Sequence, residues 1–176
     1  HDYGSRVLRS QGEDFIGKYS HTMLGHNYRM SDLHAAVGLG QFSRYDEIMN
    51  DRKSLAEQYN KKLVSLSDAV GFIKNNEDGV NAWFLYSVLV DKRDQVKGYM
   101  KERGVDTRVS WPLPVYDQPL YKGSMDHVDC PVSEKFGRGV LNLPMYYGMS
   151  EDEIDYVVEV LKEAVGEIVD SKYELI

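Results

Sequence analysis

The longest hydrophobic pattern in the chain runs from Ser31 to Leu66. Apolar residues recur there at steps of three and four, which places them on one face of a helix. Ser31 suits the N-cap position, because its hydroxyl can accept a backbone N–H of the first turn. The pattern predicts one long helix, or two joined near Asn50 and Asp51, ending before Gly71. Helices of this length often bridge two domains.

Shorter apolar runs predict a sheet in the second half of the chain. Phe84–Val90 is rich in aromatic and β-branched residues and predicts a strand. A short helix follows it and ends before Gly104, which suits the position after a helix C-cap. Val105–Val109 and Val140–Leu143 predict two further strands. Strands and helices joined by short links indicate an α/β domain of about three strands covered by helices.

The clearest local prediction is the last helix. Ser150 and Glu153 form a capping-box pattern, and an apolar stripe runs from Ile154 to Ile168. Pro131 suits the first turn of a shorter helix that reaches about Phe136.

Two stretches look irregular. Residues 1–24 contain three glycines and sustain no apolar period. Ser110–Pro131 contains four prolines, with aromatic residues between them, and predicts an ordered loop. Loops of this length inside a compact domain are usually functional. Asn75–Gly79 reads as a polar turn.

The composition narrows the class of protein. The chain has 176 residues, enough for about one domain and a real core. Its net charge of −7 argues against nucleic-acid binding, because no basic patch stands out to neutralise phosphates. No apolar run reaches the length of a membrane span. Cys130, the single cysteine, cannot form an intrachain disulfide, which favours the cytoplasm. The start at His1 suggests a piece of a longer protein.

Residue chemistry alone does not identify a reaction. The histidines and the cysteine show no metal-ligand spacing, and neither a Walker-type loop nor a G-x-S-x-G elbow is present. One local feature is more suggestive. The donor-rich turn Gly25–Arg29 leads into a helix with small residues at Ala35, Ala36, Gly38 and Gly40. Such a loop on a closely packing helix could hold an anion at a domain or subunit boundary.

The ordered motifs resemble the DegT/StrS-type nucleotide-sugar aminotransferases over nearly the whole chain. The matching segments, in order, are Leu8–Gly12, Gly25–Met30 with Asp32, Ala35, Ala36, Gly38 and Gln41, Trp83–Tyr86, Arg93 with Asp94, Arg103–Arg108, Pro112 with Pro119 and Tyr121, Leu141–Tyr146, and Met149–Glu151 with Glu153.

The resemblance implies a small C-terminal α/β domain of the aspartate-aminotransferase-like fold, with about three to four mostly antiparallel strands covered by helices. Residues 1–30 would be the trailing segment of a large domain that binds pyridoxal phosphate, residues 31–70 the bridging helix region, and residues 71–176 the small domain. The family's Schiff-base lysine precedes the segment matched by Leu8–Gly12, so we expect no catalytic residue in this chain. Lys18 does not match that position.

The resemblance also implies the chemistry. Family members are homodimers with shared active sites, and they move an amino group, usually from glutamate, to a keto-sugar nucleotide through pyridoxal phosphate. Asn27 would donate to the cofactor phosphate in the partner's site, although it could merely cap a turn. Arg29 would face an anion or buttress the loop. We expect the chain alone to be inactive.

Further candidates would bind substrate. His26 and Tyr28 either line the sugar pocket or pack as ordinary side chains. Arg108 either grips a diphosphate or donor carboxylate, or forms a surface salt bridge. Tyr121, like Trp111, either stacks on the nucleotide sugar or belongs to the core. Phe84 stands where many family members have histidine or tryptophan, so the resemblance does not identify the sugar.

A rival hypothesis from another class treats the chain as a stand-alone dimerisation or regulatory module derived from such an enzyme. A third treats it as a generic α/β ligand-binding domain. Dimerisation through the helix from Ser31 to Gln41 would argue against the third.

Overall fold

The computed structural model describes residues 2–13, 19–73, 79–121, 123–124 and 129–169. The chain forms two compact units, His1–Asp46 and Glu47–Ile176. Lys18 and most of the predicted turn at Asn75–Gly79 lie outside the described residues.

The first unit begins with helix α1, Asp2–Arg9, which the sequence did not predict. The expectation that residues 1–24 are wholly irregular was therefore wrong. The helix is only two turns long and buries a single residue, Val7, so it shows no repeating apolar pattern. An ion pair between Asp2 and Arg6, four residues apart, supports it instead (3.1 Å).

The predicted bridging region is two helices, and the break lies earlier than expected. Helix α2 spans Asp32–Phe42 and helix α3 spans Tyr45–Leu63, so no break occurs at Asn50 or Asp51. Ser43 explains the position of the break, because its hydroxyl donates to the carbonyl oxygen of Gly40 (2.9 Å) near the end of α2. A serine that bonds a nearby backbone carbonyl competes with helix continuation.

A three-stranded antiparallel sheet organises the second unit. Its strands are β1 (Val70–Phe72), β2 (Tyr86–Val90) and β3 (Val140–Leu143), in the order β1-β2-β3. In β2 and β3, Ser87 lies opposite Asn142. The predicted α/β class with antiparallel strands is confirmed, although β1 was not predicted.

The segment Val105–Val109, predicted as a strand, is not one. Only Arg108 within it pairs with the sheet, through an isolated antiparallel bridge to Asn142. Its β-branched residues Val105, Thr107 and Val109 favoured a strand, but a single bridge is all that joins the segment to β3.

Helices surround this sheet. They are α4 (Arg93–Glu102), α5 (Pro131–Gly139) and α6 (Glu151–Ile168). Gly104 follows α4 with a φ of +75°, as its predicted position after the C-cap requires. The proline-rich loop contains two short 3₁₀ helices, Val115–Asp117 and Pro119–Tyr121.

The start of α6 is as predicted. Ser150 Oγ accepts from the Glu153 backbone N–H (3.3 Å), and Glu153 Oε2 accepts from the Ser150 N–H (2.8 Å), which completes a capping box. The apolar stripe of α6 joins one core with α3, α4 and the sheet. The fully buried residues of this core include Tyr59, Leu63, Val88, Met100, Leu141, Ile154 and Leu161. No helix among the described residues is both long and apolar enough to cross a membrane.

Candidate functional site

Two sequence motifs within the first 30 residues, Leu8–Gly12 and the start of Gly25–Met30, pair with each other. Residues 8–12 run beside residues 25–28, and Ser10 forms an antiparallel bridge with Asn27. The backbone hydrogen bonds that join the two segments are Gln11 N to His26 O (3.0 Å), His26 N to Leu8 O (3.2 Å) and Tyr28 N to Arg9 O (2.9 Å). The loop that bears Asn27 is therefore fixed by backbone bonds to the last residues of α1 and to the segment after it.

Two glycines permit this pairing. A Cβ on Gly12 would lie 1.7 Å from the carbonyl oxygen of Met23, and one on Gly25 would lie 2.3 Å from the nitrogen of Gly12. Gly12 also has a φ of +74°, in the left-handed region that favours glycine. Any side chain at these positions would push the two segments apart.

The pairing brings the four predicted residues of the turn together at the surface. His26, Asn27, Tyr28 and Arg29 are all exposed. Asn27 Oδ1 accepts from the Arg29 backbone N–H (3.3 Å), and within the described residues its amide nitrogen Nδ2 donates to no other group. The rings of His26 and Tyr28 lie 5.5 Å apart. The turn thus offers an amide donor, a guanidinium and two polar aromatic rings on adjoining positions.

Helix α2 begins directly after this turn. Ser31 is its N-cap, as predicted, and accepts from the His34 backbone N–H (3.4 Å). None of the residues of α2 is buried. Its large apolar side chains Leu33, Val37, Leu39 and Phe42 are 62–75% exposed. A helix so apolar and so exposed is typical of a surface that another chain or segment covers.

The second unit contains a cleft of about 740 Å³, which Arg108 lines. Phe84 also lines it and is 76% exposed. Within the described residues no carboxylate pairs with the Arg108 guanidinium, although Asp106 and Asp152 line the same cleft. The arrangement gives an exposed cation at the edge of a largely apolar cavity, where a small anionic ligand could bind.

Tyr121 is not among the residues that line this cleft. It is half-buried at the end of the second 3₁₀ helix, where its backbone N–H donates to the Gln118 carbonyl (2.9 Å). Trp111 is 69% exposed and has a φ of +53°. Tyr121 and Arg108, both substrate-binding candidates from the sequence, therefore do not line this cleft together.

Sequence reasoning missed several polar residues of the cleft. Tyr146 donates to Glu153 Oε1 (2.6 Å), and this bond, with those from Ser150, lowers the pKa of Glu153. Asn142 is buried and lines the cleft beside Arg108. An asparagine inside the apolar run Val140–Leu143 was the available signal, because buried polar side chains need partners.

This fold is shared with solved aminotransferases. The structure superimposes on the crystal structure of Streptomyces venezuelae DesV in complex with a ketimine intermediate with a TM-score of 0.84 and 30% sequence identity, over 94% of this chain and 44% of that one. The chain matches the model of the DegT/DnrJ/EryC1/StrS aminotransferase family over residues 3–162 and so belongs to that family.

Curated relatives agree with this assignment. The chain is 32% identical over 165 residues to the GDP-perosamine synthase of Caulobacter vibrioides, which covers 91% of this chain and 44% of the relative. It is 30% identical over 159 residues to the dTDP-3-amino-3,4,6-trideoxy-alpha-D-glucose transaminase of Streptomyces venezuelae, over 90% of this chain and 41% of the relative. The chain thus spans less than half the length of these proteins and corresponds to their C-terminal part.

The family implies pyridoxal phosphate as cofactor, and the turn at Gly25–Arg29 has donors that suit its phosphate. Asn27 is the residue that decides the fit: its Oδ1 accepts from the Arg29 N–H, and its Nδ2 has no acceptor among the described residues. An amide donor and, two residues later, a guanidinium can both donate to the oxygens of a phosphate group. The residues of this turn therefore fit the phosphate end of the cofactor.

Proposed function

We propose that this chain is the C-terminal part of a pyridoxal phosphate-dependent aminotransferase that transfers an amino group from glutamate to a keto-sugar nucleotide. The family match over residues 3–162 carries the proposal. Two relatives whose names describe amino-sugar formation support the substrate class. The product would enter the synthesis of a cell-surface polysaccharide or of a secondary-metabolite sugar, in the cytoplasm.

The chain's own residues would bind and orient. Pyridoxal phosphate, when bound, would supply the electron sink that amino transfer needs. Asn27 would donate its amide N–H to the cofactor phosphate, and Arg29 would add a positive charge beside it. Arg108 would hold a diphosphate or the donor carboxylate, while His26, Tyr28 and Tyr121 would contact the sugar nucleotide. The Schiff-base lysine would come from a segment outside this sequence, so the chain alone would be inactive.

The active site would be shared within a homodimer. The exposed apolar side chains of α2 support this proposal, because burying them against a second copy would remove a large apolar surface from water. In this arrangement residues 1–30 would continue the large domain, residues 31–70 would bridge, and residues 71–176 would form the small domain.

The role of Asn27 can be tested in the complete enzyme by measuring cofactor affinity. We expect Asn27→Ala to weaken pyridoxal phosphate binding about tenfold, the cost of one charge-assisted hydrogen bond. Asn27→Asp separates the two roles of the side chain. The carboxylate still accepts from the Arg29 N–H, but it cannot donate and it repels the phosphate, so we expect affinity to fall further.

The matched control is Asn50→Ala, an exposed asparagine on α3. It should leave cofactor affinity unchanged. If Asn27→Asp also binds pyridoxal phosphate as tightly as the wild type, the side chain only supports the turn and the proposed phosphate contact is wrong.

A further inference from the structure

Asn142 is a buried polar residue on β3, an edge strand of the sheet, and its side chain bonds two other segments. Its Oδ1 accepts from Ser87 Oγ on β2 (2.7 Å), and its Nδ2 donates to Ser110 Oγ (2.6 Å). Only 3% of the residue is exposed. Both polar ends of the amide are therefore satisfied, which is what a buried amide requires.

The backbone of Asn142 is bonded to Arg108 in both directions. Asn142 N donates to Arg108 O (2.8 Å), and Arg108 N donates to Asn142 O (3.1 Å). Asn142 therefore holds both ends of the three-residue segment 108–110. Its main chain bonds Arg108, and its side chain bonds Ser110. That segment carries the guanidinium to the cleft and opens the proline-rich loop.

The loop is also fixed on its other side. A Cβ on Gly137 would lie 2.6 Å from the Pro112 carbonyl oxygen, so α5 packs closely against the start of the loop. The segment from Arg108 to Pro112 is thus held by β3 at one end and by α5 at the other. A cation mounted on a fixed backbone loses less freedom on binding an anion than one mounted on a mobile loop.

We propose that Asn142 is a positioning residue: through its bonds to Arg108 and Ser110 it sets the place of the Arg108 guanidinium in the cleft. The inference rests on the proposed function, because the binding of an anionic substrate group by Arg108 is part of that function. Asn142 itself would not contact the reacting atoms.

Ser110→Ala tests the proposal without changing the sheet. It removes the acceptor of Asn142 Nδ2 without removing any backbone donor or acceptor. In the complete enzyme we expect KM to rise about tenfold, near the upper range for the loss of one hydrogen bond, with kcat little changed. The substrate affected should be the one whose KM is raised by Arg108→Ala. Ser110→Thr keeps the hydroxyl and should restore the wild-type KM.

A double variant shows whether the effect passes through Arg108. If it does, Arg108→Ala combined with Ser110→Ala should have the KM of Arg108→Ala alone. Full multiplication of the two effects would overturn the proposal. The control for general destabilisation is Val160→Ala, a buried residue of α6, which should lower stability without raising KM.

Amide hydrogen exchange on the chain itself gives a readout that does not need turnover. Ser110→Ala should speed exchange of the Arg108 amide several-fold relative to wild type, since that N–H bonds Asn142. Unchanged exchange with unchanged KM would overturn the positioning role. Absence of amino transfer by the wild-type enzyme, or an Arg108→Ala variant with wild-type KM, would instead count against the proposed function.

Discussion

Replacing Gly12 with alanine is expected to break the pairing between residues 8–12 and 25–28. The new Cβ would meet the Met23 carbonyl oxygen at 1.7 Å, and alanine would also have to adopt a φ of +74°. Left-handed backbone and overpacking against main chain together cost about 3 kcal/mol or more. Because the segment cannot move without losing its ladder, we expect the Asn27 turn to lose its fixed position.

Hydrogen exchange of two amides measures this loss. Thr22 N donates to Gly12 O and Gln11 N donates to His26 O, so both should exchange rapidly in Gly12→Ala. Gly4→Ala is the matched control, because Gly4 lies in α1 with nothing within 4 Å of its would-be Cβ. It should be neutral or stabilising by up to about 1 kcal/mol. Protected Thr22 and Gln11 amides in Gly12→Ala would show that the close approach does not hold the turn.

The second large effect is expected for Tyr59→Ala in the core of the second unit. Tyr59 is fully buried, stacks on Tyr86 at 4.7 Å, and donates its hydroxyl to the Pro144 carbonyl (2.7 Å). Burial raises the pKa of this hydroxyl, which keeps it protonated as a donor. Removing the ring should lower the free energy of unfolding by about 3–5 kcal/mol.

Tyr59→Phe divides this effect into its parts. It keeps the ring and removes only the hydrogen bond, so we expect a loss of about 1 kcal/mol by chemical denaturation. Equal losses for Tyr59→Phe and Tyr59→Ala would mean that the Pro144 contact, rather than ring packing, carries the stability. Since Pro144 lines the cleft, Tyr59→Ala should also alter the cleft wall.

Local patterns were sufficient to predict the helices with strong caps and the strand Val140–Leu143. The capping box of Ser150 and Glu153 and the stripe behind it specify α6 almost completely, because both signals lie within one helix. The family motifs likewise gave the residues of the exposed turn at Gly25–Arg29. What they did not show is that Gly12 and Gly25 must touch, since that contact joins residues thirteen positions apart.

Long-range pairing accounts for the remaining differences. β1 has only three residues and is a strand because it pairs with β2. Val105–Val109 has the composition of a strand but pairs only at Arg108. Composition cannot distinguish these cases, because strand formation depends on a partner elsewhere in the chain. The break between α2 and α3 was misplaced for a local reason, the Ser43 hydroxyl, whose competition with the helix is weak and easily overlooked.

Mass mapping after borohydride reduction tests the central claim most directly. The chain is mixed with pyridoxal phosphate, its visible absorption is recorded, and any imine is reduced and located on a lysine. We predict no imine band and no stoichiometrically labelled lysine, because in the proposed function the Schiff-base lysine comes from a segment outside this sequence. A stoichiometric label on one lysine of this chain would contradict the account, and Lys18 would then be the first residue to mutate.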